Sequence, residues 1–200
     1  MKILWITNIP FPETSILMGE KVAVGGGWMR SLATELSQKP GVCLYIATTY
    51  KGMTLFRHQE NRIQFFLLPQ SQKQFIYNSS LEIQWKKLLA EIEPDIIHIH
   101  GTELAHGLAC IQAAPTFRYV ISIQGLTSVI EKYFYAGIRP FKYLQHITLS
   151  DIKSGTTIFD GRRAIKVRKA IEMKYLNSCN HVIGRTFFDY SHVKSINPEV

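Results

Sequence analysis

The chain has 200 residues, of which 46% are hydrophobic and only 19% charged, so it can bury a substantial core and is not a disordered polymer. No apolar run reaches the roughly 18 to 20 residues that a membrane-spanning helix needs, and the first apolar stretch is strand-length rather than a signal peptide. A formal net charge of +8 suits an anionic partner, such as a nucleotide or an acidic membrane surface; no DNA or RNA recognition motif accompanies it, so nucleic acid is not expected.

In chain order, Lys2 to Asn8 reads as a short, almost wholly apolar strand of the kind buried on both faces of a parallel sheet. A loop with Pro10 and Pro12 follows and ends in Gly25-Gly26-Gly27. Trp28, Leu32 and Leu36 then repeat at helical spacing, with Met29 and Ala33 beside them. Strand, glycine run and helix start would present free N–H groups and a positive helix end to an anion. The plainer alternative is a tight turn that uses glycine's freedom at positive φ. Because the glycines come late, G-x-G-x-x-G does not follow the first strand, which argues against a dinucleotide site.

Lys39-Pro40-Gly41 stops that helix, and Val42 to Thr48 is a second strand. Lys51 to Arg62 reads as a loop or short hairpin, and Ile63 to Leu68 as a third strand ended by Pro69. Gln70 to Ser80 is a polar connection. Leu81, Trp85, Leu88, Leu89 and Ile92 share one face of a helix over 81–93. Pro94-Asp95 leads into the fourth strand, Ile96 to His100. A helix over 103–113 and a fifth strand, Tyr119 to Ile123, follow. Residues 126–160 mix aromatics with Gly137 and Pro140 and suggest short helices joined by mobile loops. A strongly basic helix spans 162–176, then a short strand 181–185 and a last helix 186–195.

Strands alternating with helices predict an α/β fold: a Rossmann-like three-layer domain with a mostly parallel sheet. Ligands of such sheets bind outside the carboxyl ends of the strands. That edge collects Asn8, Gly25 to Gly27, Gly101 to Glu103, Gln124-Gly125 and Arg185-Thr186. Cys43, Cys110 and Cys179 are odd in number, far apart and in apolar surroundings. They read as buried, reduced thiols of a cytosolic protein.

Several stretches in this order resemble the amino-terminal domain of GT-B glycosyltransferases of family 4: Lys2-Ile3-Leu4-Trp5-Ile6, the late Gly25-Gly26-Gly27-Trp28, Pro94-Asp95-Ile96-Ile97-His98-Ile99-His100, the polar pair closing the fifth strand, and His181-Val182-Ile183-Gly184-Arg185-Thr186. The resemblance spans nearly the whole chain. It implies two Rossmann-like domains facing a cleft, with the acceptor held mostly by the first and the nucleotide-sugar mostly by the second. Nothing here matches that second domain, and Val200 falls about where the family's linker would begin. Residues 1–200 are therefore expected to form one domain, half of an enzyme, inactive by itself. The resemblance further implies a UDP- or GDP-sugar as co-substrate with no tightly bound cofactor, a glycan or lipid-linked acceptor, and retention of sugar configuration. It places Gly26 and Gly27 at the donor diphosphate. Where the family often has a His, this chain has Gln124, which can hydrogen-bond a sugar hydroxyl but cannot act as a general base at neutral pH.

His98 and His100 face one side of their strand. A metal would need further ligands, and none is placed with them, so no metal site is expected. His98 reads as packed core, while His100, at the strand end, is a candidate for the cleft. Glu103 reads either as an acceptor of sugar hydroxyls or as a first-turn glutamate favoured by the helix dipole. Arg185, ending the last strand on the binding edge, reads as a donor-binding cation able to meet a carboxylate, phosphate or sugar, or as an ion pair on the interdomain face. Acceptor contacts are expected from His100, Glu103, Gln124 and Gly125, with Gln124 and Glu103 as the catalytic candidates. The helix from Arg162 to Lys174 offers either an ordinary solvated face or contact with anionic lipid at the inner membrane face. A non-catalytic glycan- or protein-binding module is the alternative function. A nucleotide-binding protein of the sugar-epimerase kind is a third, weakened by the missing G-x-G-x-x-G.

Overall fold

The computed structural model describes residues 1–19, 22, 27–70, 73–139 and 141–200. It forms one seven-stranded sheet. In chain order the strands are β1 (Lys2–Ile6), β2 (Cys43–Tyr50), β3 (Phe56–Glu60), β4 (Ile63–Pro69), β5 (Ile96–His100), β6 (Tyr119–Ser122) and β7 (Val182–Ile183). Their order across the sheet is β3-β4-β2-β1-β5-β6-β7. Every neighbouring pair is parallel except β3 with β4, a hairpin closing one edge.

The helices are α1 (Pro12–Leu17), α2 (Gly27–Ser37), α3 (Ser80–Ile92), α4 (Ala105–Ala113), α5 (Thr127–Lys132), α6 (Leu149–Ser154), α7 (Ile158–Ser178) and α8 (Phe187–Ile196), with a 3-10 turn at Lys142–His146. They cover both faces, which is why β1 is apolar without alternation. Ile3 and Trp5 pack with Met29 and Ala33 of α2, whereas Leu4 and Ile6 pack with Trp85 and Leu88 of α3, Leu108 of α4 and Tyr175 of α7.

Several expectations are corrected. On α2 the buried face carries Met29, Ala33 and Ser37, while Trp28 and Leu32 are exposed; of the Trp28–Leu32–Leu36 stripe only Leu36 packs against the core, and it is partly buried. α1 occupies part of the stretch read as loop, opening at Pro12, a favoured first helical residue. Cys43 is exposed at the start of β2, while Cys110 and Cys179 are buried; all three are free thiols. The strand read over 181–185 shortens to Val182–Ile183. α7 starts at Ile158, four residues before the expected helix, because Thr157 and Asp160 form a capping box.

Candidate functional site

The carboxyl edge of the sheet gathers most of the polar residues that the sequence pointed to. At the end of β1, Asn8 donates from Nδ2 to Oε2 of Glu103, 2.8 Å away, just past β5. Gly101 makes this pairing possible. Its φ is +95°, and a Cβ there would lie 2.5 Å from Asn8 Nδ2 and closer still to Glu103 Oε2, so only glycine fits. On the far side, a Cβ at Gly125 would stand 3.7 Å from Glu103 Oε1. One carboxylate thus lies between the ends of β1 and β6. Burial pushes its pKa up, and the Asn8 hydrogen bond pulls partly against that. Asn8→Ala is expected to raise the Glu103 pKa further, read as the midpoint of its carboxyl carbon in an NMR titration; an unmoved midpoint would count against the contact.

Gln124 extends from the end of β6 with Nε2 3.7 Å from Met29 Sδ of α2. Its backbone oxygen accepts from the guanidinium of exposed Arg185, which joins the ends of β6 and β7. Gly27 is the first residue of α2, so that helix's positive end belongs to the same edge; Gly25 and Gly26 lie outside the described residues. Trp28 follows, with its indole 56% exposed and centred 6.1 Å from the His100 ring.

His100 itself sits deeper than a cleft wall. It is 1% exposed, packed against Trp5 at 4.6 Å and His98 at 4.0 Å between ring centroids. Neither of its ring nitrogens has a hydrogen-bond partner. His98 Nε2 meets Ser122 Oγ at 2.7 Å. Among the described residues, no group of three or more His, Cys, Asp or Glu is placed to hold a metal ion, and no helix is long and apolar enough to cross a membrane.

The sequence reading missed the group that holds the edge in place. Glu172 of α7 is wholly buried and accepts hydrogen bonds from the backbone N–H groups of Thr127 and Ser128 and from the hydroxyls of Thr102, Thr127 and Ser128. It thereby anchors the first turn of α5, directly after Gln124-Gly125. Ser128 Oγ also meets His192 Nε2 of α8 at 2.8 Å. The signal was available: Glu172 is the one acid within a cationic run, spaced seven residues after Ile165 and four before Leu176, on the buried side of the helix.

The cations of α7 are divided in use. Arg162 and Lys169 pair with Glu131 of α5 at 3.0 and 3.1 Å, and Arg168 stacks on Phe75 at 5.3 Å. Much of that run therefore buttresses the domain.

No protein-family model and no curated protein matches the chain in sequence. Solved structures do match in shape. A sucrose-phosphate synthase from Thermosynechococcus elongatus superposes on 98% of this chain with a TM-score of 0.59 at 13% identity. A UDP-N-acetylglucosamine 2-epimerase does so over 98% with a TM-score of 0.50, also at 13% identity. The chain spans 45% of the length of each of these proteins. At such identity the likeness shows the fold, a Rossmann-like α/β domain of the GT-B kind.

Proposed function

We propose that this chain is the acceptor-binding half of a nucleotide-sugar-dependent glycosyltransferase of the family 4 kind, acting in glycan or glycolipid synthesis. The observation that carries this reading is the Glu103 carboxylate, held by Asn8 opposite Gly125 and sharing its edge with exposed Trp28. A carboxylate that accepts hydroxyl hydrogen bonds beside an exposed aromatic face is the chemistry a sugar ring meets. Gln124 adds a neutral donor and acceptor. The amino-terminal end of α2 at Gly27, together with Arg185, suits the diphosphate of a UDP- or GDP-sugar.

The same edge supports a two-domain enzyme over a lone binding module. Arg185 lies between exposed Ile183 and exposed Phe187, with Phe188 and Tyr190 also exposed, and Trp28 is followed by exposed Leu32. Apolar exposure of this extent is what a facing domain covers. Retention of configuration follows from the family likeness, and in a retaining transfer the donor phosphate and backbone groups carry much of the chemistry without a protein base. The assignment to the cytoplasm belongs to the same reading.

Two measurements test it. The 200-residue chain should consume no UDP- or GDP-sugar; turnover by this chain would overturn the division of labour. Ligand-observed NMR against mono- and disaccharides should show binding that Glu103→Ala weakens at least tenfold. If no sugar binds, or if Glu103→Ala binds as well as the parent, the acceptor reading fails.

A further inference from the structure

Between the 3-10 turn and the start of α7 lies a cavity of about 690 Å³, lined on one side by Arg139, Lys142, Tyr143 and His146 and on the other by Asp151 and Thr157. Among the described residues, neither Arg139, Lys142 nor His146 makes an ion pair or a side-chain hydrogen bond to an acid, unlike Arg162 and Lys169 nearby. The one acid, Asp151, is turned to its own capping box, accepting from the N–H and hydroxyl of Thr148 at 2.9 and 2.7 Å. Arg139 and Lys142 thus outnumber the single lining carboxylate, and that carboxylate is directed at Thr148 rather than at either cation.

The chain segment that supplies these cations also exposes apolar side chains. Phe141 is 70% exposed and Leu149 86%, and Ile138, Leu144 and Ile152 are exposed as well. Isolated apolar side chains on a surface are ordinary, but five within one short segment are not. Lys153, also exposed, adds a further cation to the segment. Cations in a recess with protruding aliphatic and aromatic side chains match the two layers of a bilayer interface, phosphates outside and acyl chains beneath.

We propose that this cavity seats the phosphate of an anionic membrane lipid, with Phe141 and Leu149 entering the acyl layer. The contact surface is thereby the 138–153 segment rather than the outer face of α7, whose cations are partly spent on Glu131. α5 joins Gln124-Gly125 to the chain that leads into this segment. The proposal deepens the glycosyltransferase reading, on which it rests only for taking the lipid as carrier of the acceptor.

The test is flotation of the 200-residue chain with vesicles, read with no donor and no turnover, so that its failure leaves the sugar-binding result standing and the reverse. Vesicles of equal parts phosphatidylcholine and phosphatidylglycerol should carry the protein, and pure phosphatidylcholine should not. Arg139→Glu with Lys142→Glu should weaken partitioning at least thirtyfold, since each cation beside an anionic surface contributes roughly fivefold. Phe141→Ser with Leu149→Ser should weaken it while leaving the salt dependence in place. Equal partitioning into both vesicle types overturns the proposal. So does loss through Lys166→Glu with Lys174→Glu, on α7, while the Arg139/Lys142 variant still binds. Tight binding of inorganic phosphate by the parent without vesicle flotation also overturns it, because the site would then serve a soluble anion.

Discussion

A Glu172→Ala variant is expected to melt roughly 10 °C or more below the parent chain. The carboxylate is wholly buried and accepts five hydrogen bonds, two from the backbone N–H groups of Thr127 and Ser128 at 2.6 and 3.0 Å and three from hydroxyls of Thr102, Thr127 and Ser128. Alanine removes the acceptor and leaves those donors buried without partners. Leaving a buried donor unsatisfied costs on the order of 1–3 kcal/mol, so the loss of several together is a large share of the 5–15 kcal/mol that holds an ordinary domain together. For a chain of this size each kcal/mol is about 2–4 °C in melting temperature. Glu172→Gln should fall between the two, because its carbonyl still accepts while its NH2 faces other donors. Circular dichroism melts of both variants decide this; a Glu172→Ala midpoint within about 2 °C of the parent would show that the network carries little. Since Thr127 and Ser128 open α5 just after Gln124-Gly125, sugar binding should weaken along with stability.

What the sequence disclosed, and what it hid, divides along physical lines. The parallel sheet was legible because strands buried on both faces leave continuous apolar runs, as at Lys2–Ile6 and Ile96–His100. α3 was legible because its apolar positions fall at strict helical steps and Pro94 follows its end. α2 misled because Trp28 and Leu32 are apolar yet exposed, while small Ala33 and Ser37 meet the sheet; periodicity gives a helix but does not by itself choose its buried face. The stretch 126–160 resisted because its helices are short, and short helices carry too few apolar positions to show a period. Their starts were nevertheless written in Thr-x-x-Asp spacing, at Thr148 with Asp151 and Thr157 with Asp160, and again at Thr186 with Asp189. The polar edge emerged because strand ends in a parallel sheet must share one side. The Asn8–Glu103 pair and the anchoring of α5 by Glu172 depend on side chains about 95 and 45 residues apart, and a linear pattern does not encode such contacts.

The domain is also expected to lose stability steeply in mild acid. Burial holds the pKa of His98 down at about 4, of His100 at about 3 and of His106 at about 4. For His100 the neighbouring His98 ring, 4.0 Å away, adds to the effect, and for His106 a hydrogen bond with the Thr7 carbonyl opposes it. The unfolded chain binds a proton at each near pH 6.5, whereas the folded one stays neutral. Protonation therefore favours the unfolded state: stability is intact above about pH 6.5 and falls through the window down to about pH 4 for His98 and His106 and about pH 3 for His100. Each histidine contributes a slope of up to about 1.4 kcal/mol per pH unit, so the three together remove on the order of 3–4 kcal/mol between about pH 6 and pH 5. Glu103 acts in the opposite sense, because its pKa is raised on folding, and offsets part of the loss near the carboxylate range. Urea denaturation at stepped pH should show a proton uptake on unfolding approaching three near pH 5, and the ring resonances of these histidines should not titrate in the native protein above that pH. Stability unchanged from pH 7 to pH 5, or native ring midpoints near the ordinary histidine value, would mean that water reaches the His98–His100 stack beneath Trp28. The carboxyl edge would then be open into the sheet, and His100 would return as a group able to meet a ligand directly.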